Sequence, residues 1–150
     1  MRVAVGADEV LPLAEAVVAA LREDGHEVRV LGPLAGGGGE WAEVSAGVAG
    51  LVAAGDADRG VVLCWSGTGA CIAANKVDGA RAALCADADT ARMARRYNHA
   101  NVLALSMRLT SEAVGREILT AFLDEPDGAE AFDLRNVAVL RALERGEGPA

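Results

Sequence analysis

Apolar positions follow two rhythms along the chain, and they alternate. Arg2–Gly6 (RVAVG) reads as a buried strand, and Pro12–Glu23 follows with Leu13, Val17, Ala20 and Leu21 at helical spacing. Asp24-Gly25 ends that helix, and His26–Leu31 alternates polar and apolar like an outer strand. Gly32–Glu40, with four consecutive glycines, reads as a flexible loop. Trp41–Ala54 returns to helical spacing, with Trp41, Val44, Val48, Leu51 and Val52 on one face. Gly60–Cys64 (GVVLC) is apolar throughout, as expected of a strand in the middle of a parallel sheet. Small residues then lead into Cys71–Lys76. Ala80–Cys85 predicts a strand, Asp87–Tyr97 a helix, Asn101–Leu105 a strand, and Thr110–Leu123 a helix with Val114, Ile118 and Phe122 in register. Pro126-Asp127-Gly128 breaks the pattern before a last helix from Ala129 to about Glu144. That helix follows a helix with no strand between, and such an appendage suits a neighbouring subunit. The alternation predicts an α/β fold: a three-layer, doubly wound parallel sheet of about five strands in a single domain over 1–150, with an extra C-terminal helix.

Composition narrows this picture. Of 150 residues, 52% are hydrophobic but only 3% aromatic, so the core must be Ala, Val and Leu. That suits close packing of helix on sheet better than an aromatic-rich sandwich. A net charge of −8 with no Lys/Arg-rich run excludes a nucleic-acid groove, which needs clustered cations. The apolar stretches are too short and too interrupted to span a bilayer, so no membrane partner is expected. No basic n-region or apolar h-region precedes the first strand. The three cysteines, Cys64, Cys71 and Cys85, lack metal-type spacing and fit reduced thiols in a cytoplasmic protein.

In open α/β sheets ligands lie beyond the carboxyl ends of the strands. That rule nominates Ala7-Asp8-Glu9, the Cys64-Trp65-Ser66-Gly67-Thr68-Gly69 loop, Ala86-Asp87, and Ser106-Met107-Arg108. The loop after Cys64 says most. Its small residues leave backbone N–H groups free to converge on an anion. Gly67-x-Gly69 is followed by Ile72 where a dinucleotide fingerprint needs glycine, and no Gly-Lys-Ser/Thr completes a P-loop. A phosphatase-type loop needs arginine six residues after Cys64, where Ala70 stands. What remains is a thiol at the mouth of an oxyanion-binding loop, able to act as base or nucleophile. Equally, Cys64 reads as a small buried hydrophobe ending a strand. Asp8 reads as a turn former or an acceptor for ligand hydroxyls, and Arg108 as an anion contact or a surface ion pair. His99 reads as a loop residue or a site residue.

The segments GVVLCWSGTGACIAANKVDGARAALC and ARMARRYNHANVLAL resemble the ribose-5-phosphate isomerase B / galactose-6-phosphate isomerase family, nearly collinearly from the first GAD to the final helix. The resemblance implies a Rossmann-like sheet, a homodimer or homotetramer with active sites shared between subunits, and no metal or cofactor. It also implies aldose–ketose interconversion of a small sugar or sugar phosphate through an enediolate. Cys64 then stands at the position of the catalytic base, and Ser66 replaces a threonine while keeping a hydroxyl. Gly67, Thr68 and Gly69 supply the amide loop. Asp8, Asn98 and Arg108 fall on substrate-binding positions.

The departures gather in the same site. The family's Asp-His after the first strand is Asp8-Glu9, and its ring-opening histidine aligns with Tyr97, with His99 two residues later. Trp65 stands where glycine is usual, and Glu40-Trp41-Ala42 replaces Asp-Tyr-Pro. The two arginines of the last helix that grip phosphate across the dimer align with Phe132 and Asn136. Arg135 is adjacent, about 100° away around a helix. Three readings follow: an isomerase of ribose 5-phosphate, an isomerase or related enolising enzyme on a different substrate, either unphosphorylated or carrying another group, or a catalytically weak binding or partner subunit.

Overall fold

The computed structural model describes residues 1–148. β1 (Arg2–Ala7), β2 (Glu27–Leu31), β3 (Arg59–Cys64), β4 (Ala82–Leu84) and β5 (Val102–Ser106) form one parallel sheet in the spatial order β2-β1-β3-β5-β4. Around it lie α1 (Pro12–Glu23), α2 (Trp41–Ala53), α3 (Thr68–Ala74), α4 (Ala88–Asn98), α5 (Glu112–Asp124) and α6 (Ala131–Glu144). The expected α/β Rossmann-like architecture is therefore present. β1 and β3 are neighbours whose following loops leave in opposite directions, and the crevice between them opens at their carboxyl ends.

Alternation along the strands divides the core into two layers. Val3, Val5, Val61, Leu63, Leu103 and Leu105 face α1, α4 and α5. Ala4, Val62, Cys64, Val102 and Ala104 face α2 and α3. The second layer is lined by smaller side chains, so α2 and α3 lie close to the sheet and to the strand ends that carry the site. Local signals set the helix starts. Pro12 opens α1, Asp87 caps α4 by accepting from Thr90 N–H at 2.7 Å, and Ser111 caps α5 by accepting from Val114 N–H at 3.3 Å.

The chain departs from its hydrophobic pattern in two places. The expected flexible loop begins as a 3₁₀ turn over Gly32–Ala35, closed by Gly36 in the left-handed region. β4 is three residues rather than six, because side chains serve the backbone at its start. Asn101 Oδ1 accepts from Arg81 N–H at 2.7 Å, and Asn101 Nδ2 donates to Gly79 O at 2.8 Å. The Asn75 amide pairs with both Ala82 N–H and Ala82 O at 2.8 Å, standing in for the missing neighbour strand.

α6 sets out from the carboxyl end of α4. Gly128 N–H donates to Arg96 O at 2.9 Å, His99 Nε2 meets Gly128 O at 2.9 Å, and Arg96 pairs with Glu125 at 2.6 Å. Buried Arg95 donates to the carbonyls of Ala100 and Glu125 and pairs with Asp127 at 2.8 Å. No helix among the described residues is long and apolar enough to cross a membrane.

Candidate active site

The carboxyl ends of β1, β3 and β5 bring together Asp8, Glu9, Cys64, Trp65, Ser66, Gly67, Thr68, Gly69 and Arg108. Cys64 is the last residue of β3, buried on the α2/α3 face. Beyond it the chain turns at Gly67, whose left-handed φ of 76° caps α3. A Cβ there would stand 2.9 Å from Leu105 C and 2.6 Å from Leu84 Cδ1, so glycine is required by conformation and by space. Ser66 Oγ and Thr68 Oγ1 share a hydrogen bond of 2.7 Å at the loop's outer edge. The N–H groups of Ser66, Thr68, Gly69 and Ala70 donate to no acceptor among the described residues. They are four amides on one short turn, available to an oxyanion.

Asp8 follows β1, the strand next to β3 in the sheet. Its Oδ1 is buried and has no hydrogen-bond partner. Burial raises the Asp8 carboxyl above its ordinary range; its own backbone N–H works against this, and the negative charges of Glu9 and Glu40 add to it. An acceptor held without a donor beside open amides is suited to a polyhydroxylated ligand, whose hydroxyl groups donate to Asp8 while its carbonyl oxygen accepts from the loop. The other two thiols are set apart from this chemistry. Burial pushes Cys85 up to about 12 and raises Cys71, and Cys71 Sγ donates to Ala82 O at 3.4 Å. All three cysteines are unpaired. Among the described residues, no cluster of three or more His, Cys, Asp or Glu side chains is placed to hold a metal ion.

Five further candidates do not join this group within one chain. Tyr97 and Asn98 close α4, and His99 follows them, at the amino-terminal rim of the sheet opposite Cys64. Asn98 lines a cavity there with Asn75, Lys76, Arg81 and Leu140. His99 is buried (8% exposed), caps α4 with a left-handed φ of 51°, and spends Nε2 on Gly128 O. Phe132 and Asn136 lie on α6. Asn136 Nδ2 donates to Phe132 O at 2.9 Å, and the Arg135 guanidinium lies 5.9 Å from the centre of the Phe132 ring.

Three contributors carried no signal strong enough to give them a role from sequence. Glu40 adds its charge at Asp8 from the residue before α2. Trp41 packs its ring on Gly69, where a Cβ would stand 2.9 Å from Cε3. Ser106 is opposite Cys64 in the sheet register and hydrogen-bonds the loop. Strand order decides that last pairing, and strand order is not written in hydrophobic spacing.

The Ribose/Galactose Isomerase family profile matches residues 3–137. Ribose-5-phosphate isomerase B of Escherichia coli (strain K12) is 35% identical over 123 residues, 81% of this chain and 83% of that protein. D-erythrulose-4-phosphate isomerase of Pectobacterium atrosepticum is 48% identical over 66 residues, 44% of this chain, and the match spans under half of that relative, 43%. The structure of Trypanosoma brucei type B ribose 5-phosphate isomerase superimposes with a TM-score of 0.87 at 42% identity, covering 95% of this chain and 97% of that one. The chain belongs to the ribose/galactose isomerase family.

Proposed function

We propose that this protein interconverts an aldose and a ketose by proton transfer through an enediolate, with Cys64 as the base. The Cys64 thiolate takes the proton from the carbon beside the substrate carbonyl, the C–H electron pair forms the C=C bond, and the carbonyl oxygen becomes an oxyanion. The amides of the 66–70 turn stabilise that charge where it develops. Cys64 then returns the proton to the carbon that bore the carbonyl, while the hydroxyl proton on the other carbon passes to the oxyanion and that carbon's C–O bond becomes the new carbonyl. Asp8 orients the sugar by accepting from its hydroxyl groups, and Ser66 and Thr68 line the approach. The observation that supports this reading is the juxtaposition of Cys64, a turn of amides without acceptors, and the orphaned Asp8 oxygen at one strand-end crevice.

Tyr97, Asn98, Phe132 and Asn136 complete the site of a second copy in a homodimer, since they lie at the far rim of their own. Those residues favour a substrate other than a sugar carrying a phosphate dianion. A desolvated phosphate needs charge-assisted partners worth about 1.5–3 kcal/mol each. Asn136 spends its amide on Phe132 O, Arg135 lies against the Phe132 ring, and Glu9 adds negative charge near Asp8. Trp65, 56% exposed, and Phe132 supply apolar walls suited to a less charged distal end.

A panel of pentoses, hexoses and their phosphates in D₂O, read by NMR for deuterium entering beside the carbonyl, tests both parts. Cys64→Ala should lower the exchange rate by about 100-fold or more while the fold is kept. Exchange at the wild-type rate in Cys64→Ala removes the thiol from the mechanism. Turnover of ribose 5-phosphate above roughly 10⁴ M⁻¹s⁻¹ in kcat/KM restores that sugar phosphate as the substrate.

A further inference from the structure

We infer that Ser106 is a positioning residue for the oxyanion donors: it fixes the Trp65–Ser66 peptide so that the Ser66 N–H faces the crevice holding Asp8.

Cys64 and Ser106 are opposite one another where β3 and β5 end. Pairing does not stop there. Met107 N–H donates to Cys64 O at 3.1 Å and Arg108 N–H to Trp65 O at 3.0 Å, so the chain after β5 continues to bind the chain after β3. The Ser106 hydroxyl adds a second donor to the same Trp65 carbonyl at 3.0 Å and accepts from Leu109 N–H at 3.3 Å. Thr110 N–H donates to Ser106 O at 3.1 Å and closes the turn. Ser106 is buried, so these bonds are little exposed to competition from water.

Peptide geometry turns this clamp into an orientation. Trp65 C=O and Ser66 N–H belong to one planar trans unit and point in opposite directions. Two donors from the β5 side hold the carbonyl toward β5. The Ser66 N–H is thereby directed to the other side of β3. The sheet order puts β1 there, and Asp8 follows β1. Ser66 N–H has no acceptor of its own among the described residues, so nothing else fixes its direction. A donor aimed before the oxyanion forms stabilises it without reorganisation, whereas a peptide free to rock does not. Arg108 N–H alone would leave the carbonyl with one partner, on a turn where the side chains of Arg108 and Leu109 are both exposed.

This assignment rests on the isomerase reading for what the amide does, but not for where it points, and the test separates the two. Wild type, Ser106→Ala and Ser106→Thr are compared as full-length, ¹⁵N-labelled protein. The Ser66 amide resonance and its heteronuclear NOE are recorded without ligand, and kcat and KM are measured on whichever panel sugar exchanges fastest. Ser106→Ala should shift the Ser66 resonance, lower its NOE and cut kcat roughly 10- to 100-fold with KM within about twofold. Ser106→Thr should restore all three, which loss of packing alone would not predict. Ser106→Cys, close in size but a weaker donor, replaces the alanine variant if that does not fold. An unmoved Ser66 resonance, or a moved one with unchanged kcat, overturns the assignment. If no sugar is exchanged by wild type, the isomerase reading fails, and the Ser66 resonance by itself upholds or overturns the placement of the peptide.

Discussion

Asp8 shows a residue held against its own preference. Its Oδ1 is buried without a donor, and Glu9 and Glu40 add like charge. A carboxyl whose pKa is raised on folding stabilises the fold below its unfolded pKa, 3.8, and that contribution is lost as pH rises through the folded value. At neutral pH ionised Asp8 therefore costs stability, and the charge is available to bind sugar hydroxyls. Asp8→Asn should unfold at a higher temperature than wild type at about pH 7, with the gain shrinking toward about pH 4, while activity falls roughly 10- to 100-fold through loss of a charge-assisted hydrogen bond. Thermal unfolding of both proteins across that range checks it, and a lower midpoint for Asp8→Asn at neutral pH contradicts it. Asp8 and Cys64 could be nominated from sequence because carboxyl ends of strands are where such sheets bind ligands. His99 could not be resolved that way. Its partner is a carbonyl at Gly128, brought near by the path of a linker, and no spacing between residues 99 and 128 encodes that meeting.

Among the elements, strand and helix identity followed from periodicity, because each buries one face against the sheet and the spacing records it. The lengths that differed did so through side-chain amides. Asn75 and Asn101 satisfy the backbone before β4, and the sequence offers two asparagines with nothing to say which carbonyls they meet. The launch of α6 was hidden for the same reason. Arg95, 2% exposed, ties together the end of α4, the approach to β5 and the α5–α6 linker. Removing it leaves two carbonyls short of a donor and a cavity beside Phe122, whose ring centre lies 5.6 Å from the guanidinium. Arg95→Ala should cost about 3 kcal/mol. Hydrogen exchange should show its largest acceleration in the 125–130 linker and the last turn of α4. Uniform acceleration throughout the chain, or a loss below about 1 kcal/mol by urea titration, would argue that the bolt carries no special weight.

At the scale of the whole molecule, α6 is the element a single chain does not finish. Its pattern places Leu134, Val137, Leu140 and Leu143 along one stripe, yet only Val137 is buried, at 2% exposed. Leu134, Val139, Leu140 and Leu143 remain exposed, and Phe132 is 67% exposed. The polar contacts of its linker are with α4, and Glu144 at its far end pairs with Arg81 at 3.9 Å, yet between these ends most of its apolar side chains stay exposed. Tyr97 and Asn98 lie beside the α4 contacts, and Cys64 is at the opposite rim. The homodimer proposed above would answer both facts if two copies packed with α6 and the end of α4 of each over the strand ends of the other. The exposed leucines are then buried, each fully buried side chain contributing about 1.5–3 kcal/mol, and each crevice gains a second wall. Sedimentation at micromolar concentration should give a dimer or a larger even assembly. Leu134→Glu, Leu140→Glu and Leu143→Glu together should yield a monomer that keeps its circular dichroism and loses turnover by about 100-fold or more, because the Cys64 loop of each chain is left open to water. The same triple variant should stay monomeric at high protein concentration, since reassociation would bury three unpaired carboxylates. A wild-type monomer, or a monomeric triple variant that retains full turnover, would show that the site is complete within one chain and that α6 covers nothing the chemistry requires.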